Sequence, residues 1–83
     1  MIFYLPIRVE CRSGYRAEET PRVLCWGGRR LAVQEIQDRW YQGEIDPEFP
    51  SADYFKVLTE DGLSRIIKYE RSSHAWYLVS EAQ

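Results

Sequence analysis

Only one histidine, His74, and two cysteines, Cys11 and Cys25, occur among the 83 residues, and acidic residues outnumber basic ones, 13 to 11. Each shortage argues against a class of function. His74 sits in the polar run Arg71-Ser72-Ser73-His74, with no nucleophile-and-carboxylate set signalled around it, so it reads as a surface-turn residue rather than a general base. The cysteines form no CxxC pair and have no histidine at ligand spacing, which points away from structural zinc and toward reduced, buried thiols. Whether the two thiols meet in space stays open at this level.

Long apolar runs are missing as well. Met1-Ile2-Phe3-Tyr4-Leu5 is apolar, but Pro6, Arg8 and Glu10 end it far short of the roughly 18 residues of a membrane-spanning helix, and it lacks the form of a secretory signal. The expectation is a cytoplasmic protein without a membrane partner. A net charge of −2 lacks the basic signature of phosphate-backbone binding. The distribution is uneven, however. Residues 1–30 carry six arginines against three glutamates, a local +3, while residues 31–83 carry −5. Gly27-Gly28 lacks the Lys-Ser/Thr of a phosphate loop, and Glu44, Asp46 and Glu48 lack calcium-loop spacing. No catalytic residue, cofactor, metal or small-molecule substrate is expected.

Aromatic side chains are plentiful: three Trp, six Tyr and three Phe. A chain of this size forms one small domain, here residues 1–83, and buries only about 60–65% of its unfolded surface. Most of these rings are therefore needed for packing before any can be assigned to a ligand.

The turn signals are spaced for short strands. Period-two alternation places Ile7, Val9 and Cys11 on one face and Arg8, Glu10 and Arg12 on the other. Residues 16–21 read as a polar connection, because Pro21 disfavours helix at Thr20. Arg22 to Trp26 reads as a strand, and Gly27-Gly28 supplies the positive φ angles of a tight hairpin back into Arg29-Arg30-Leu31-Ala32-Val33.

From there the phase slips, since Leu31 and Val33 are apolar at odd positions and Ile36 and Trp40 at even ones. A β-bulge near Gln34-Glu35 in a bent strand explains the slip; an amphipathic helix through Val33, Ile36, Gln37 and Trp40 is the competing reading. Gln42 to Ala52 reads as an acidic loop interrupted by Pro47 and Pro50. Phe55, Val57 and Thr59 then alternate against Tyr54, Lys56 and Leu58, and Asp61-Gly62 marks a hairpin. Ser64 to Tyr69 returns with both faces partly covered at Ile66-Ile67, Arg71 to His74 turns, and Ala75 to Val79 closes the sheet. The sum is all-β: an antiparallel meander of five or six strands, forming an SH3-like or half-open barrel with one bent strand.

Within that frame, Asp38-Arg39-Trp40-Tyr41 divides between two faces. If Trp40 follows Ile36 inward, Arg39 and Tyr41 face outward and form a platform for a protein or peptide partner, with Arg29 and Arg30 as further candidates. The leading expectation is a non-enzymatic interaction module. The alternative is single-stranded nucleic-acid binding, with Arg8, Arg12, Arg29, Arg30 and Arg39 on phosphates and Tyr41 or Trp26 on bases.

Taken in order, Val9-Glu10-Cys11, Ser13 to Glu19, Leu31-Ala32-Val33, Asp38-Arg39-Trp40-Tyr41, Tyr54-Phe55-Lys56-Val57 and Asp61-Gly62 carry a resemblance across residues 7–80. The chain resembles a family of short, uncharacterised bacterial proteins labelled only as cytoplasmic proteins. It is more distantly similar to a module found with error-prone DNA polymerase-like proteins. The resemblance implies no catalytic activity, cofactor or site residue, and adds a link to DNA repair to the nucleic-acid alternative. The acidic stretch from Pro47 to Pro50 departs from the family pattern.

Overall fold

The computed structural model describes residues 2–13, 19–43 and 51–81. Six antiparallel strands, β1 (Ile2–Ser13), β2 (Glu19–Trp26), β3 (Arg29–Gln42), β4 (Ala52–Thr59), β5 (Ser64–Glu70) and β6 (Ala75–Glu81), close into a barrel in sequence order. The expected all-β meander is therefore present. β3 is strand throughout, so the helical reading of residues 31–41 is set aside. Residues 16–18 of the anticipated connection and 44–50 of the acidic loop lie outside the described residues. Glu19 to Pro21, expected in the connection, belong instead to β2, where Pro21 is matched with Cys11.

The barrel is two sheets sharing two strands. Residues 2–7 of β1 pair with β6 and residues 8–13 with β2, while β3 pairs with β2 over Arg29–Ala32 and with β4 from Val33 onward. One sheet therefore runs β3-β4-β5-β6-β1 and the other β1-β2-β3. The turns between them follow the local chemistry. Gly27 and Gly28 have φ of 55° and 74°, the left-handed pair of a tight hairpin that a Cβ disfavours. Gly62, at φ 82°, plays that part in the Glu60–Leu63 turn.

Leu24, Phe55, Val57, Ile67, Trp76 and Leu78 form the core, with Ile7, Val9, Cys11, Trp26, Val33 and Tyr69 packed against it. Each fully buried side chain of this kind contributes about 1.5–3 kcal/mol relative to exposure. The inward faces expected for β1 and β4 are those observed.

β3 departs from expectation. Its register against β4 shifts twice, between Val33 and Glu35 and again between Ile36 and Asp38. The first shift is the anticipated bulge; the second was not anticipated. Each extra residue inverts the side-chain parity, so two restore it: Ile36 faces inward in register with Val57, while Trp40 turns outward in register with Tyr54. Arg39 and Tyr41 come to the inner side, opposite Phe55 and Asp53. This reverses the assignment of Trp40 to the core and moves Arg39 and Tyr41 to the other side of the strand, at the barrel end, where both nonetheless stay exposed, Tyr41 at 55%.

Candidate functional site

The four anticipated partner-binding residues are dispersed by the fold. Arg39 and Tyr41 lie at one end of the barrel, where the Arg39 guanidinium rests 5.0 Å from the Phe55 ring and that of Arg71 4.6 Å from the Tyr41 ring. Arg71 donates Nε–H and Nη2–H to the two carboxylate oxygens of buried Asp53, at 2.8 and 2.9 Å. That carboxylate raises the guanidinium's affinity for its proton. Beside this cluster, the Tyr69 hydroxyl hydrogen-bonds His74 Nδ1 at 2.9 Å, so the only histidine is tied into a turn. The arrangement satisfies a buried carboxylate and lays a guanidinium against each of the Phe55 and Tyr41 rings, with Tyr41 itself left 55% exposed.

Arg29 lies at the opposite end of the barrel. Arg29 and Arg65 stand 5.6 and 5.2 Å from the Trp26 ring, and Asp61 binds both guanidinium groups, at 3.9 and 2.6 Å. Thr59, fully buried, donates its hydroxyl to Asp61 at 2.6 Å and receives Arg65 Nε–H at 3.2 Å. The Thr59 hydroxyl, then the Arg65 guanidinium, hold the Asp61 carboxyl down at about 2. Arg30 points to the outer face of the three-stranded sheet, where Nε–H and Nη2–H both reach the Glu10 carboxylate. That contact lowers the Glu10 titration.

Cys25 contacts Glu10 on that outer face, whereas Cys11 packs against the core from within. The thiols therefore lie on opposite faces and are unbridged, and both are half-buried rather than buried as anticipated. Among the described residues no group of three His, Cys, Asp or Glu could hold a metal ion. No described helix is long and apolar enough to cross a membrane.

A different surface gathers the remaining aromatic residues. On the outside of the five-stranded sheet, Trp40, Tyr54, Lys68, Tyr77 and Pro6 stand in direct register, one from each strand. Asp38, Lys56, Ile66, Val79 and Tyr4 form the adjacent row. The strand spacing makes the first row about 19 Å long. Trp40 and Tyr54 stack with planes 1° apart and centroids 5.4 Å apart, and Tyr4 meets Tyr77 edge-on at 6.5 Å. Lys68 Nζ lies 4.7 Å from the centre of the Tyr4 ring. Tyr54 donates its hydroxyl to Gln42 Oε1 at 2.9 Å, and burial, then the neighbouring Tyr4 hydroxyl, push its phenol above the usual range.

Tyr4 and Trp40 nonetheless stay 48% and 40% exposed, too open for core packing to account for them. The chain's only two lysines lie on this face, near-balanced by Asp38 and Glu70, so it is aromatic and of low net charge. Sequence reasoning missed it. The available signal was an outward aromatic residue or lysine in each of several strands, but joining them into rows requires the register. Comparisons with family models, with curated proteins and with solved structures found no match.

Proposed function

We propose that this barrel is a non-catalytic interaction module of the cytoplasm that binds a protein or peptide segment on the outer face of its five-stranded sheet. The observation that carries this reading is the row Trp40-Tyr54-Lys68-Tyr77-Pro6, exposed at Trp40 and Pro6 and half-buried between them, with exposed Tyr4 beside it. Tyr and Trp gathered on a surface of low net charge are residues enriched at interfaces, with Lys56, Lys68, Asp38 and Glu70 interspersed among them.

Ring spacing narrows the partner. Tyr54 and Tyr77 lie two strands apart, with Lys68 between them, so their backbones are about 9.6 Å apart. A polyproline II segment repeats every three residues, about 9.3 Å. An extended proline-containing chain laid across the strands would present equivalent residues to the two tyrosines, with Lys68 taking a carbonyl or an acid between them.

The single-stranded nucleic-acid reading draws support from the two lysines among stacked rings. Against it stands the separation of the arginines it invoked. Arg30 is committed to Glu10 and Arg29 to Trp26 and Asp61, and neither shares a face with the aromatic row.

Titration of the protein with a proline-rich peptide and with an oligothymidylate, followed by calorimetry, separates the two. The expected result is peptide binding that falls about 30-fold in Trp40→Ala, the loss of a residue worth about 2 kcal/mol, and is unchanged in Tyr41→Ala. Oligonucleotide binding that weakens steeply with salt, without peptide binding, would replace this reading with the nucleic-acid one. Equal effects of Trp40→Ala and Tyr41→Ala would remove the aromatic face from it.

A further inference from the structure

Two strand edges remain unpaired among the described residues, and they differ in kind. Beyond Ala32, β3 pairs only with β4. That edge carries Glu35, Asp38 and Arg39 and is broken by two bulges, the devices that keep an edge from recruiting another strand. The ladder from β1 to β2 begins at Arg8, so Ile2-Phe3-Tyr4-Leu5-Pro6 is held by β6 on one side and by nothing described on the other. This second edge is straight and uncharged. Ile2, Phe3, Tyr4 and Leu5 are 57, 50, 48 and 45% exposed, although Phe3 and Leu5 belong to the inner side of the strand, in line with Leu78.

We infer that this edge pairs with the same edge of a second copy, antiparallel about a two-fold axis at Tyr4. The sequence is self-complementary in that arrangement: Tyr4 meets Tyr4, Phe3 meets Leu5, and Ile2 meets Pro6. No charge is buried, and no foreign residue is needed to match one. The backbone supports the same register. Pro6 has no N–H for β6 and fits where its nitrogen faces away from the neighbouring strand. Alternation then directs the Ile2 and Tyr4 amides toward the free edge. Two Tyr4 N–H groups bond the opposing Tyr4 carbonyls and two Ile2 N–H groups bond the opposing Pro6 carbonyls, while the Pro6 nitrogens, having no N–H, leave the two Ile2 carbonyls to water, so four ladder bonds form and the pairing is weak. The Gly27-Gly28 turn lines a cleft with Pro6, Ile7 and Arg8 and so stands beside the Pro6 end of the free edge.

The size of the contact sets its strength. Half-exposed side chains of this kind offer about 100 Å² each, or about 800 Å² over both copies, below the roughly 1,200 Å² of standard stable interfaces. The dimer is therefore reversible, and it joins the two five-stranded sheets into one ten-stranded sheet in which the rows ending at Tyr4 meet across the axis and each row ending at Pro6 runs on into Ile2 of the other copy. It does not depend on the peptide-binding reading and is measured without a ligand.

Sedimentation equilibrium from about 10 μM to about 1 mM should show the mean mass rising from 9.9 kDa toward twice that value. Amide exchange at Ile2 and Tyr4 should slow over the same range. Phe3→Lys, at a half-exposed position opposite Ser80, should hold the mass at the monomer value while leaving the far-ultraviolet spectrum unchanged. A monomer at every concentration would overturn the inference, as would a dimer in which the Ile2 and Tyr4 amides still exchange freely. Should Phe3→Lys fail to fold, amide exchange in the unmodified protein decides the matter.

Discussion

Replacing Thr59 with valine tests the account of how the turn end of the barrel is closed. The substitution keeps the shape and removes one oxygen from a side chain with no exposed surface. That oxygen serves the Asp61 carboxylate at 2.6 Å and the Arg65 Nε–H at 3.2 Å, with the Leu63 carbonyl also at 3.0 Å. Losing a hydrogen bond to a charged group costs about 1.5–3 kcal/mol. The added buried methyl returns about 0.8 kcal/mol. A net loss of about 1–2 kcal/mol lowers the melting temperature of a domain this size by roughly 5–15 °C.

The pH dependence gives a second readout, because the Thr59 hydroxyl is the main reason the Asp61 carboxyl sits at about 2 rather than at its ordinary 3.8. A group depressed in the folded state contributes stability above its unfolded value, and that contribution is lost as pH falls through the folded value. The unmodified protein should therefore lose stability between about pH 4 and pH 2 through this group. In Thr59→Val the Asp61 titration, followed by carboxyl NMR, should move up toward 3.8, and the gap in melting temperature should narrow at low pH. A variant that melts with the parent protein, or an Asp61 titration that stays in place, would refute the assignment of this network.

Other substitutions test the facing of β3 and the turn chemistry. Urea denaturation of Trp76→Ala, which strips a core ring packed on Phe55 and Tyr69, should show a loss of about 3–5 kcal/mol. Trp40→Ala should lose no more than the roughly 0.5–1.5 kcal/mol of one stacked pair, and comparable losses in the two would return Trp40 to the interior. Gly28→Ala meets no atom but must hold φ at 74°, so thermal melting should show a loss of about 1–2 kcal/mol, less for Gly28→Asn.

Local rules made much of the fold legible. Alternation alone places Ile7, Val9 and Cys11, and separately Phe55, Val57 and Thr59, toward the interior, and Gly27-Gly28 and Gly62 mark turns because few residues tolerate a positive φ. The phase slip after Val33 likewise announces a bulge. Burial of one sheet face is enough to impose these patterns wherever the neighbouring strands fall.

The direction of Asp38-Arg39-Trp40-Tyr41 was beyond such rules. The register of β3 against β4 shifts a second time at Gln37, and that one residue exchanges Trp40 for Arg39 and Tyr41 on the inner side. The aromatic face shows the same limit. Tyr4, Trp40, Tyr54, Lys68 and Tyr77 are spread over five strands, and their meeting depends on register, a long-range quantity that no local pattern contains. The sequence by itself thus determined that strands form, where they turn, and which side of β1 and β4 is apolar. The tertiary structure decided which rings meet outside the sheet, because parity and register are set only when strands pair.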